Sequence, residues 1–125
     1  MPEIEISDQN FDLSFLMEIA DGSNEFLVES IELFLKQTPE LMLAIDHAIK
    51  SQDWAAAGQS AHKLKPNLGF FGMLGGQTLM QELEALAKTA PDSQLIKAKF
   101  DELQAIITPT LVKLEVIKNA KAAEL

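Results

Sequence analysis

Cysteine is absent from the sequence, which excludes disulfides, thiolate zinc sites and cysteine nucleophiles. Tyrosine is absent too, β-branched residues do not cluster, and no segment alternates apolar with polar residues, so strand signals are almost missing. No apolar run approaches the roughly 18 to 20 residues that a membrane span needs, and the opening MPEIEISDQN lacks the basic-then-apolar order of a signal peptide. Neither a glycine-rich phosphate loop nor a kinase motif is present. A net charge of -9 argues against non-specific nucleic-acid binding, which needs a basic surface to release counterions. The expectation is a soluble, cytoplasmic protein that meets neither nucleic acid nor membrane.

What remains is a chain of 125 residues, the size of one domain (1–125), with 47% hydrophobic and 23% charged residues, enough to bury one core without staples. Apolar residues recur at alternating spacings of four and three, the period of an amphipathic helix. One such stripe is Leu27, Ile31, Phe34, Thr38, Leu41, Ile45 and Ala48, which predicts a helix from Ser23 or Asn24 to about Ser51, kinked or restarted at Pro39 with Thr38 as a cap. Asp53 can cap a second helix with the stripe Trp54, Ala57, Ala61, Leu64, Leu68 and Phe71, stopped by Gly72. Gly75-Gly76 leads into a third, with Leu79, Met80, Leu83, Leu86, Ala87 and Ala90. After the break at Pro91 a fourth carries Ile96, Phe100, Leu103, Ile107, Thr110, Leu114 and Ile117, kinked at Pro109 and fraying from about Asn119. A short helix near Phe11 to Ala20 precedes them. The fold class expected is all-α: an antiparallel up-down four-helix bundle with a short additional N-terminal helix, because each narrow stripe can be buried only against the others. One bundle buries all four stripes, so a monomer is expected.

Against this regular pattern the run SAHKLKPNLGFFG, from Ser60 to Gly72, carries a histidine, a proline one turn later and glycines beyond. On a helical wheel His62 lies about 130° from the centre of the buried stripe and points outward. Ala55 and Gly58 precede it on that face, while Pro66 and Gly69 follow. Glycine costs a helix interior roughly 0.8 to 1 kcal/mol and proline about 3, so these are poor choices for a helix that only has to be helical. They could still mark no more than a kinked helix end. A metal site finds little support, since the only other histidine is His47, taken as a surface residue, and no carboxylate lies four residues from His62. The third reading is a protruding imidazole that a second protein must reach. Neutral imidazole is nucleophilic and can carry a transferred group; small neighbours let a partner close over it, and Lys65 can place a cation beside an attached anion. That combination describes a phosphoryl carrier.

The run AHKLKPNLGFFG resembles the signature of histidine-containing phosphotransfer (HPt) domains, H-x-L-K-G with a further glycine ten residues after the histidine. His62, Leu64, Lys65 and Gly72 match those positions, and Pro66 stands where the family most often has glycine. The segments NEFLVESIELFL, ELMLAIDHAIKSQDW and LMQELEALA also look like family patterns at matching distances. The resemblance implies that His62 accepts a phosphoryl group from the aspartyl phosphate of a receiver domain, or donates it to one, in a multistep two-component phosphorelay. Lys65 would stabilise the phosphoryl group. The chain would be a carrier with no ATP site, no metal site and no cofactor of its own, and Mg²⁺ would come from the receiver of a response regulator or hybrid histidine kinase. Pro66 has no N–H for the His62 carbonyl and is expected to bend the helix without abolishing transfer. Lys63, Pro66, Gly69, Phe70 and Met73, with Ala55 and Gly58, form the expected docking patch. The alternatives are a non-catalytic adaptor or dimerisation bundle, or the same module cut from a hybrid sensor histidine kinase.

Overall fold

Five helices account for nearly all of the periodic sequence in the computed structural model, which describes residues 5–89 and 91–125: α1 (Ser14–Ala20), α2 (Asn24–Lys50), α3 (Trp54–Phe70), α4 (Leu74–Thr89) and α5 (Ser93–Ala122). Among the described residues there is no strand, only an isolated bridge between Ser7 and Asp12. Side chains just outside three helices satisfy their first free N–H groups: Ser23 accepts from Phe26 N, Asp53 from Ala56 N and Asp92 from Leu95 N. Among the described residues no helix is long and apolar enough to cross a membrane.

The stripes are buried nearly as their spacing predicts. Ile31, Ile45, Ala57, Ala61, Leu64, Leu68, Met80, Leu83, Ile96, Leu103 and Leu114 are fully buried. Ala90 lies outside the described residues, Trp54 and Leu86 are half-buried, and in α2 Met42 takes the buried place expected of Leu41. The long helices pack in cyclic order, α2 on α3, α3 on α4, α4 on α5 and α5 on α2. Every long helix therefore has two neighbours for its apolar face.

Four expectations about helix ends are corrected. Pro39 does not restart its helix: α2 runs unbroken through it, as α5 does through Pro109. A proline removes one backbone hydrogen bond, whereas Phe34 and Met42 on one helix, and Ile107 and Leu114 on the other, anchor both halves in the same core. Thr38 is no cap; it is buried in the α2 stripe, with no partner for its hydroxyl among the described residues. Gly75 and Gly76 lie inside α4, and a Cβ on Gly76 would come 2.9 Å from Leu103 Cδ1, so this glycine admits α5. Instead of fraying at Asn119, α5 reaches Ala122, its end tied back by a 2.7 Å hydrogen bond from Asn24 Nδ2 to Glu124 Oε2.

The N-terminal segment closes one end of the core. Its helix is shorter than expected and starts at Ser14, while Phe11, Leu13, Leu16 and Ala20 are all buried. Asp12 N donates to Phe71 O at 3.1 Å, and the Phe71 ring packs on Phe34 with centroids 4.2 Å apart. This docking depends on Gly72, whose φ is +66° and whose added Cβ would stand 2.1 Å from Asp12 O. The glycine ten residues after His62 thus ends α3 in the left-handed region and lets the N-terminal loop cross directly over it.

Candidate functional site

His62 sits in the middle of α3 with 68% of its side chain exposed, on the side away from Ala61 and Leu64, as the wheel predicts. It is not free-standing. The neighbouring helix α4 brings Glu84 to it, with His62 Nδ1 3.0 Å from Glu84 Oε2. The Glu84 side chain is only 5% exposed and gathers two cations besides. Lys65 Nζ lies 2.6 Å from Oε1, and Lys88 Nζ lies 2.9 Å from Oε2. Lys65 Nζ also donates to Gln81 Oε1 at 2.6 Å.

A carboxylate taken out of water needs counter-charges. The Lys65 ammonium, then Lys88, holds the Glu84 carboxyl at about 2, down from its ordinary 4.5, against the opposing effect of burial. Glu84 is therefore ionised at neutral pH and can only accept hydrogen bonds. Of the two groups in this contact only the imidazole can carry a proton, and with that proton on Nδ1, 3.0 Å from Oε2, the lone pair of a neutral ring is on Nε2. A carboxylate at this distance favours the ring orientation and the tautomer that turn an Nδ1 proton toward it.

The two lysines approach Glu84 on different sides. Lys88, 66% exposed, lines a groove of about 520 Å³ between α3 and α4 with Trp54, Ala55, Gly58, His62 and Lys63. Lys65, 18% exposed, lines a separate hollow with Pro66, Gln77 and Gln81. Among the described residues no three His, Asp or Glu side chains converge to hold a metal ion. His47 is exposed on α2.

The expected docking residues divide. Ala55, Lys63, Pro66 and Phe70 are exposed on α3. Phe70 meets the exposed Phe15 of α1 edge-on, with ring centroids 5.6 Å apart. Met73 is fully buried, because the chain turns inward after Gly72 and its N–H donates to Leu68 O at 2.8 Å. Gly58 is buried too, its missing Cβ 3.5 Å from Ala87 Cβ. Gly69 is half-buried, and a Cβ there would come 2.6 Å from Gln77 Nε2, the same amide that donates to Lys65 O at 3.3 Å. The clearance these two glycines provide also serves the approach of α4, and Gly58 lines the groove beside His62, whereas the enclosed Met73 leaves the docking patch. Pro66 does not end α3, which continues to Phe70.

Glu84 and Lys88 escaped the sequence reading because they lie on another helix. One signal was there: Glu84, four residues after Met80 and three before Ala87, puts a charge inside the buried stripe of α4. A charge at such a position needs a partner from a neighbouring helix. A model of the Hpt domain family matches residues 29–109, a span that holds His62, Lys65, Glu84 and Lys88. No curated protein and no solved structure matches the chain.

Proposed function

Because the chain belongs to the Hpt domain family, whose members carry out histidine phosphotransfer in two-component signalling, we propose that His62 is the residue that carries the phosphoryl group. The observation that carries this assignment is a mostly exposed His62 whose Nδ1 lies 3.0 Å from the ionised, buried Glu84, an arrangement in which Nε2 would be the nucleophile. In the proposed step Nε2 attacks the phosphorus of a receiver domain's aspartyl phosphate. The N–P bond forms as the P–O bond breaks, and the electron pair leaves with the aspartate carboxylate. The Nδ1 proton stays on the ring, so the imidazolium that develops faces the Glu84 carboxylate. Transfer to a second receiver is the reverse of this sequence.

Such a transfer needs positioning and charge neutralisation more than covalent help. Lys65 supplies a cation one turn from His62, and α3 supplies a stiff platform. We take the four long helices to be an antiparallel up-down bundle acting as a monomeric carrier in the cytoplasm, with the receiver bringing Mg²⁺ and docking over Ala55, Lys63, Pro66 and Phe70. The test is to incubate the chain with a phosphorylated receiver domain and follow protein-bound label that is acid-labile and alkali-stable. Wild type is expected to take up label and His62→Gln none; equal label on the variant sinks the assignment.

A further inference from the structure

Two groups lie against Glu84 Oε2, His62 Nδ1 at 3.0 Å and Lys88 Nζ at 2.9 Å, whereas among the described residues Oε1 faces Lys65 alone. The two lysines differ in freedom. Lys65 is four-fifths buried and fastened to both Glu84 and Gln81, while Lys88 is mostly exposed and, among the described residues, fastened to Glu84 only. Lys88 also shares the groove onto which His62 opens, which Lys65 does not line. We propose that Lys88 is a second phosphoryl-binding cation, held in reserve on Glu84 and passed to the phosphoryl group when His62 receives it.

The charges account for the handover. At rest two lysines outweigh one carboxylate, so the cluster bears one net positive charge beside a neutral imidazole. A phosphoryl group brings a charge of about -2, and the ring, keeping its Nδ1 proton as Nε2 forms the N–P bond, becomes cationic. The imidazolium then binds Oε2 more strongly than the neutral ring did, and it competes with Lys88 for that oxygen. The new phosphoryl oxygens offer Lys88 a stronger anion within the same groove. Lys65 stays on Oε1, so Glu84 never loses its charge compensation. No bond is made or broken at Lys88, and no proton leaves it.

This inference rests on His62 being the phosphoryl carrier, and its test separates the two. The intact chain is charged with phosphoramidate, a small donor that needs no docking surface, and phosphohistidine is followed by ³¹P NMR in wild type, Lys88→Met and Lys88→Arg, with the His62 tautomer read by ¹⁵N NMR. Lys88→Met is expected to be charged at least tenfold more slowly with its Nδ1–H tautomer intact, and Lys88→Arg to recover most of the rate. A wild type that charges at His62 alongside a Lys88→Met variant of equal rate overturns the role of Lys88 alone. Loss of the Nδ1–H tautomer in Lys88→Met also overturns it, since Lys88 would then act only by holding Glu84. No charging at His62 in wild type removes the carrier assignment and this role with it.

Discussion

An exposed histidine on a helix can turn freely and carry its proton on either nitrogen, and both freedoms dilute a nucleophile. At His62 one carboxylate from the facing helix removes both. The expected outcome is direct: ¹⁵N NMR of neutral His62 shows the Nδ1–H tautomer in wild type and a mixture in Glu84→Leu, where nothing accepts that proton. The phosphotransfer rate of Glu84→Leu should fall at least about tenfold, the scale seen when a carboxylate that orients a metal-ligating histidine is removed. An unchanged tautomer in the variant would show that the hydrogen bond to Glu84 does not select it. His62 itself carries little stability. Although it is mostly exposed, its Nδ1 lies 3.0 Å from a buried carboxylate, so His62→Ala should cost about 1 kcal/mol, and His62→Gln, which retains an N–H donor, less.

At the scale of elements, α3 and α4 make the site jointly, and the small residues between them set their distance. Gly58 against Ala87 and Gly69 against Gln77 bring α4 close enough for Glu84 to reach His62 and Lys65 together. Their spacing from His62 on the wheel suits a partner's approach equally well, which is why the sequence could not separate the two uses. Phe70 was distinguished correctly from Phe71, because consecutive residues on a helix lie 100° apart and only one can face the core. The end of α3 is less forgiving. Gly72→Ala forces a side chain into the left-handed region and against the Asp12 backbone, which cannot swing aside as a flexible side chain can. The loss should be at least about 2 kcal/mol. Chemical denaturation measures it, and a change below about 0.5 kcal/mol would mean that the N-terminal loop is not tied to this turn as described.

Across the whole molecule, acid stability depends on Glu84 more than its single charge suggests. The folded carboxyl is at about 2 against an ordinary 4.5, so between those values the unfolded chain binds the extra proton. The stabilisation is complete above about 4.5 and is lost as pH falls toward about 2. Urea unfolding of wild type and Glu84→Gln should therefore show a stability gap that is wide at pH 6 and narrows between these limits; a gap independent of pH would place the loss in packing instead. With a net charge of -9 on the chain, the cations at Lys63, Lys65 and Lys88 form a local exception beside His62. An anionic group bound for the imidazole meets favourable potential there and repulsion over most of the remaining surface.

Sequence alone determined the helices, their buried stripes and the outward direction of His62, because each follows from a 3.6-residue period acting within one segment. It also marked Lys65 and Gly72, which sit at fixed local spacings from the histidine. Tertiary structure decided the rest. Two prolines left their helices unbroken because the core held both flanks, Met73 went inside because the chain turned at Gly72, and Gly58 and Gly69 faced α4. Above all it placed Glu84 and Lys88 at a histidine some 20 residues earlier in the chain. Spacing along a helix says which way a side chain points; which nitrogen of His62 holds the proton depends on the charge that packing brings opposite it.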